Sequence, residues 1–261
     1  MTQTLMKLSE WIAFKTIVKK DVVRVLRIWP QTLLPPVITN VLYFLIFGTL
    51  IGARIGDING LPFMQFITPG LIMMAVITNS YSNVVSSFFS TRFMQSIHEI
   101  LVSPTPNYII LLGFCIGGVV RGLLVGILVA ITALFFTHVQ VQHLGLMLLM
   151  IILTSMLFSL AGFTNAIFAR KFDDIAIVPT FVLTPLIYLG GIFYSVDMLP
   201  PFWQTVSYAN PVLYMVNAFR YTLFGISDMP VFYAFSIVAV TTAILFAVNL
   251  RLLNSGKGIR T

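Results

Sequence analysis

The sequence predicts an all-α integral membrane protein. Six transmembrane helices are expected, with an N-terminal amphipathic interfacial helix and an outer re-entrant helical pair before the last span. Three observations carry this. Of 261 residues, 58% are hydrophobic and 9% charged, with a mean hydropathy of +0.98. Soluble domains carry about 25% charged residues, so water solvates such a chain poorly and lipid must cover most of its surface. Six apolar runs approach the roughly 20 residues that a helix needs to cross a bilayer. The basic residues fall between those runs, where membrane topology places them. The net charge of +7 is thus read as a topology signal, and nucleic acid is not expected as a partner.

The chain reads as one membrane domain over residues 1–261, with no room for a second globular one. The N-terminal part, 1–31, is expected to be the interfacial helix. From Trp11 to Trp29, apolar residues at Trp11, Phe14, Val18, Val22, Val25 and Trp29 make one greasy face, and Lys15, Lys19, Lys20, Arg24 and Arg27 decorate the rest. Such a helix lies along a membrane surface, and no cleavable signal pattern precedes it. The expected spans are 33–51, 63–89, 108–136, 144–168, 175–194 and 231–253. Residues 91–107 form a loop with a short helix ending before Pro104, and 170–174 form a tight loop on the same side. Residues 195–229 form a long segment on the opposite side. It holds two apolar stretches too short to cross, with Pro201 and Pro211 placed for first helical turns.

With the N-terminus inside, inner segments hold 12 of the 15 Lys and Arg residues, outer segments hold Arg54 and Arg220, and Arg121 lies within the third span. The positive-inside rule then places both termini in the cytoplasm.

Several chemistries are missing. No G-x-x-x-x-G-K-[ST] phosphate loop occurs, so ATP is not expected to bind this chain by that route. The single cysteine, Cys115, excludes a disulfide framework or a cysteine metal site. His98, His138 and His143 lack ligand spacing, and neither a metal nor a catalytic residue is expected. None of the eight acids falls deep inside a span, which argues against proton coupling through intramembrane carboxylates.

What remains is polar patterning. Asn79, Asn83, Ser86 and Ser90 in the second span share a face, as do Thr180, Thr184, Tyr188 and Gly191 in the fifth. These faces either line a pathway or bond neighbouring helices. The third span carries G-x-x-x-G at 113–117, 118–122 and 122–126, for tight packing inside one subunit or between subunits. Arg121 among these glycines must face protein or water. Helix carbonyls or Asn165 are its expected structural partners, with a functional role as the alternative.

The chain resembles the permease subunit of type-2 ABC exporters, bacterial inner-membrane transport permeases in the subgroup that includes nodulation-factor exporters. The resemblance rests on the loop RFMQSIHEILVSPTPN and on LPPFWQTVSYANPVLYMVNAFRYTLFG. Its signature run is Asn210, Pro211, Tyr214, Phe219 and Arg220. The stretches PGLIMMAVITNSYSNVVSSF and FDDIAIVPTFVLTPLIYLGGIFYS carry it further. It implies a second copy of the chain completing the pathway and two copies of a separate cytoplasmic ABC ATPase that bind ATP and Mg. It also implies a coupling helix around Arg92, Glu99, Ile100, Ser103 and Pro104, and an N-terminal helix that transmits closure. An amphipathic or lipid-linked substrate fits the uncharged polar faces. The rival readings are a stand-alone secondary transporter or channel and a membrane-embedded lipid-modifying enzyme. The missing intramembrane acids disfavour the first, and the lack of a clustered nucleophile or acid disfavours the second.

Overall fold

The computed structural model describes residues 2–58, 60–102 and 105–256. Helix α1, Thr2–Arg27, leads into α2, Trp29–Tyr43, which continues as a π-helix over Phe44–Ile51 and one turn of α3, Gly52–Ile55. A two-residue antiparallel ladder follows, with β1, Asp57–Ile58, paired to β2, Leu61–Pro62. Then come α4, Phe63–Phe93, α5, Ile97–Val102, α6, Asn107–Ala133, and α7, Leu144–Phe168. The next helical stretch is broken into α8, Asp174–Val178, a π turn over Pro179–Leu183, and α9, Thr184–Tyr188. The chain closes with a 3-10 turn at Val196–Met198, α10, Pro201–Tyr208, α11, Pro211–Phe224, and α12, Val231–Ser255.

Among the described residues, five helical stretches are long and apolar enough to cross a membrane: Trp29–Gly48, Phe63–Phe93, Asn107–Ala133, Leu144–Phe168 and Val231–Ser255. The fifth expected span differs. Its helix runs from Asp174 to Tyr188 and stops short of 194. At about 1.5 Å per residue it reaches roughly 22 Å, below the ~30 Å hydrocarbon thickness. Two prolines, Pro179 and Pro185, disturb its hydrogen-bond ladder, and Gly191 turns the chain with φ of 68°.

Helix α4 is the hub, packed by α6, α7 and α11. Its core contacts are aromatic, including Phe88 against Phe114 and Phe163. The glycines of α6 make this packing possible. A Cβ at Gly118 or Gly122 would strike Ser159, Ser155 or Ser80, and one at Gly126 would strike Val76. A Cβ at Gly113 or Gly117 would strike Ile17 or Asp21 of α1. The three glycine patterns thus serve packing within one chain: one seats α1, and the other two seat α4 and α7.

Helix α1 does not lie across the ends of the spans. Glu10 accepts a hydrogen bond from Tyr108, while Ile17 and Asp21 sit on Gly113 and Gly117. It therefore runs alongside α6. The face it buries is Ile17, Asp21 and Val25, whereas Trp11 and Trp29 remain exposed. The expected greasy face meets the bundle only in part, because a charged residue occupies the middle of the buried stripe.

Candidate functional site

Polar side chains of α4 at Asn79, Asn83, Ser87 and Thr91 recur every four residues and so share a face. Each meets a charged residue. Arg121 Nη2 donates to Asn79 Oδ1 at 3.0 Å. Arg24 Nη2 donates to Asn83 Oδ1 at 3.0 Å. Ser87 Oγ donates to Asp21 Oδ1 at 2.5 Å, and Lys20 Nζ donates to Thr91 Oγ1 at 3.5 Å. Arg24 Nε also stands 3.9 Å from Asp21 Oδ1. The result is a ladder in which three cations and one carboxylate climb α4.

This ladder revises the expected pathway face. Asn79 and Asn83 belong to it, buried and hydrogen-bonded. Ser86 lies beside it and donates to the Ser82 carbonyl of its own helix. Ser87 and Thr91 replace Ser86 and Ser90 in the series. Asp21 escaped sequence reasoning because it lies outside the apolar runs, with basic Lys20 and Arg24 close by. The signal was present in the four-residue step shared by Asn79, Asn83, Ser87 and Thr91. Burial pushes the Asp21 carboxyl up from its usual range, against the opposing pull of Ser87, Arg24 and Lys20.

At the far end of the ladder a polar pocket of about 390 Å³ opens between α2, α4, α6 and α9. Asn79, Arg121, Thr184 and Tyr188 all line it, together with Asn40 and Tyr43. Arg121 also donates to the Thr32 carbonyl at 3.4 Å. Its partners are thus Asn79 and a helix carbonyl. Asn165 instead donates to the Tyr81 hydroxyl at 2.7 Å and to the Ile175 carbonyl. Thr180 is exposed outside this pocket, and its hydroxyl donates to the Ala176 carbonyl.

The expected coupling segment is an elbow, not one helix. Helix α4 ends at Phe93, Gln95 adopts φ of 58°, and α5 begins at Ile97. Arg92 and Glu99 therefore do not share one helical face. Arg92 Nη1 donates to the carbonyls of Ala166 and Ile167, at the C-terminus of α7. There a cation satisfies open carbonyls and complements the helix dipole. Glu99 is exposed on α5, and Ile100 belongs to the same helix. Ser103 and Pro104 lie outside the described residues. Ile97 is buried, while Phe93 is exposed and packs edge-on to Phe172.

The signature residues have structural duties. Asn210 caps α11 by accepting from the Val212 N–H at 2.9 Å, and its Nδ2 donates to the Leu186 carbonyl at 2.6 Å. Pro211 occupies the first turn, and the Tyr214 hydroxyl donates to the Tyr208 carbonyl. Phe219 and Arg220 are each 1% exposed. Arg220 donates to the Gly191 carbonyl at 3.0 Å, pairs with Asp228 at 3.6 Å and stacks over the Phe66 ring. Arg220 is a buried tie, because α11 packs into α4, α7 and α12.

Apolar helices of bilayer length around a polar pocket define an all-helical membrane protein. Residues 12–224 match the ABC-2 type transporter family, and the chain belongs to that family. It is 53% identical over 251 residues to the inner membrane transport permease YadH of Escherichia coli (strain K12), covering 96% of this chain and 98% of the relative. It is 22% identical over 202 residues to nodulation protein J of Rhizobium leguminosarum bv. viciae, covering 76% and 78%. For nodulation protein J of Rhizobium meliloti (strain 1021) the values are 21% over 202 residues, 76% and 77%. The chain is a membrane permease of an ABC transporter, a transport subunit and not an enzyme. The inner-membrane setting expected from the sequence holds as well.

Proposed function

We propose that two copies of this chain form the translocation pathway of an exporter, driven by two copies of a separate cytoplasmic ATPase that hold ATP and Mg. Both termini, α5 and the 169–174 loop face the cytoplasm in this reading. The observation that carries it is the elbow. Met94 is 77% exposed and Val102 86% exposed, beyond the capped end of α4. Apolar side chains that project from the helix ends, past the spans, are expected to be covered by protein. A helix on such an elbow has the form of a knob for a groove.

The mechanical logic follows from Arg92. It ties the base of the elbow to the end of α7, so a push on α5 reaches α4 and α7 together. Arg92 is then an anchor, and α5, with Glu99 and Ile100, is the docking knob. Helix α1 rests on the same α4 through its ladder and acts as the connecting helix. The substrate is amphipathic or lipid-linked, and the pocket lined by Asn79, Thr184 and Tyr188 lies on its route.

Glu99→Arg tests this. Reversing a charge at a docking contact costs about 2–5 kcal/mol when the partner is stranded. The variant is expected to lose co-purification with the ATPase, or to uncouple its hydrolysis from transport, while still inserting in the membrane. Asp57→Arg, in the exposed β1 turn, is the control and leaves both intact. Full docking and coupled activity in Glu99→Arg would remove α5 from the contact.

A further inference from the structure

The pocket beside Arg121 carries more than a route. Among the described residues Arg121 forms no ion pair, since the two that occur join Arg24 to Asp21 and Arg220 to Asp228. Its hydrogen-bond partners, Asn79 Oδ1 and the Thr32 carbonyl, are neutral and are both met through Nη2. Its Nε is buried with no hydrogen-bond partner. An uncompensated guanidinium within a membrane span is costly and marks a functional site.

The surroundings deepen the imbalance. The α4 ladder holds Lys20, Arg24 and Arg121 against Asp21 alone. Across the pocket, Asn40 is 2% exposed, and its Oδ1 has no partner while Nδ2 is held by the Pro36 carbonyl. The site therefore offers a cationic fork and, apart from it, a buried acceptor that wants a donor. Both walls change winding here. The π-helix after α2 begins next to Tyr43, and the π turn before α9 ends next to Thr184. Such distortions often occur at functional sites in helices. The volume of about 390 Å³ falls in the range of roughly 300–1,000 Å³ usual for small-ligand pockets.

We infer that this pocket binds the phosphomonoester-type head of an anionic amphiphile, with Arg121 as its charge partner and Asn40 accepting from its P–OH. A phosphate monoester monoanion has the complementary pair of groups, charged acceptor oxygens and one O–H. Guanidinium is suited to it, because its fork meets two phosphate oxygens at once. Calling the ligand a substrate rests on the exporter reading above, but binding does not. The test therefore uses the purified chain without any ATPase.

The chain is placed in phosphatidylcholine nanodiscs, and equilibrium binding of radiolabelled dodecyl phosphate is measured. Dodecyltrimethylammonium and inorganic phosphate are the comparison probes. Saturable binding of dodecyl phosphate, well above both, is expected. Arg121→Gln is expected to weaken it about tenfold or more, as loss of a charged hydrogen bond does, and Arg121→Lys, which keeps the charge but not the fork, to bind between the native chain and Arg121→Gln. Thr184→Phe introduces bulk at an exposed position of the rim and is expected to block binding while leaving the Arg121 bonds untouched. Equal binding of the cationic probe, undiminished binding in a folded Arg121→Gln, or unchanged binding in Thr184→Phe would each overturn the assignment. Inorganic phosphate binding as tightly as dodecyl phosphate would overturn the amphiphile class. Full docking and coupled activity in Glu99→Arg with binding intact would overturn the coupling reading and leave this inference standing, and failure here would leave the exporter reading standing.

Discussion

Asp21 shows how one residue can reverse its meaning between sequence and structure. Flanked by Lys20 and Arg24 on an amphipathic helix, it reads as surface charge. In the fold it is 1% exposed, with Ser87 donating to one oxygen and the other unpartnered. Its raised pKa sets a pH dependence. The folded protein binds this proton more readily than the unfolded chain, so stability from this group rises as pH falls through the raised folded value. The gain is complete below the ordinary value of 3.8. Asp21→Asn removes the buried charge and retains an acceptor for Ser87. In detergent melts, its stability relative to the native chain is expected to be highest near neutral pH and to fall on acidification. Asp21→Ala leaves the Ser87 hydroxyl and Arg24 without their partner, at a cost of about 1–3 kcal/mol. A pH-independent difference between Asp21→Asn and the native chain would mean that Asp21 does not titrate in this window.

At the scale of elements, the glycine patterns of α6 were legible as close-packing surfaces, but not as surfaces for particular partners. Steps of four place small residues on one stripe, while two such stripes offset by one residue face different neighbours. Gly113 and Gly117 face α1, and Gly118 and Gly122 face α4 and α7. Gly117→Leu tests the α1 seat, because even a Cβ there would lie 2.7 Å from Asp21 Cβ. Overpacking of this kind costs about 1–3 kcal/mol, and α1 is expected to lose protection in hydrogen exchange while α4 and α7 keep theirs. Gly145→Leu, where added bulk meets open space, is the control. The elbow is hidden from spacing arguments for a related reason. A seven-residue spacing places Arg92 and Glu99 on one face only if the helix continues, and the turn through Gln95 interrupts it.

For the whole molecule, the fifth helical stretch decides the topology. The helix over Asp174–Tyr188 is shorter than a bilayer core, yet both termini are proposed to lie inside, which requires it to cross with the turn that follows. Reporter fusions after Gly60, His138 and Tyr208 are expected outside, and those after Pro104, Lys171 and Thr261 inside. A cytoplasmic signal from the Tyr208 fusion would break the six-span arrangement.

The sequence by itself determined the medium, the helical class and the extents of the long spans. Those follow from transfer of apolar side chains and from the backbone's need to satisfy its own hydrogen bonds in lipid, which are properties of consecutive residues. It also marked Asn210, Pro211 and Arg220 as belonging together, without saying that they cap, turn and tie one buried helix. Tertiary structure decided which polar residues meet. Asp21 on Ser87, Arg24 on Asn83 and Arg121 on Asn79 join residues 66, 59 and 42 positions apart. Local periodicity carries no record of such pairs, because the free energy that selects them arises only when two helices bury their polar groups against each other.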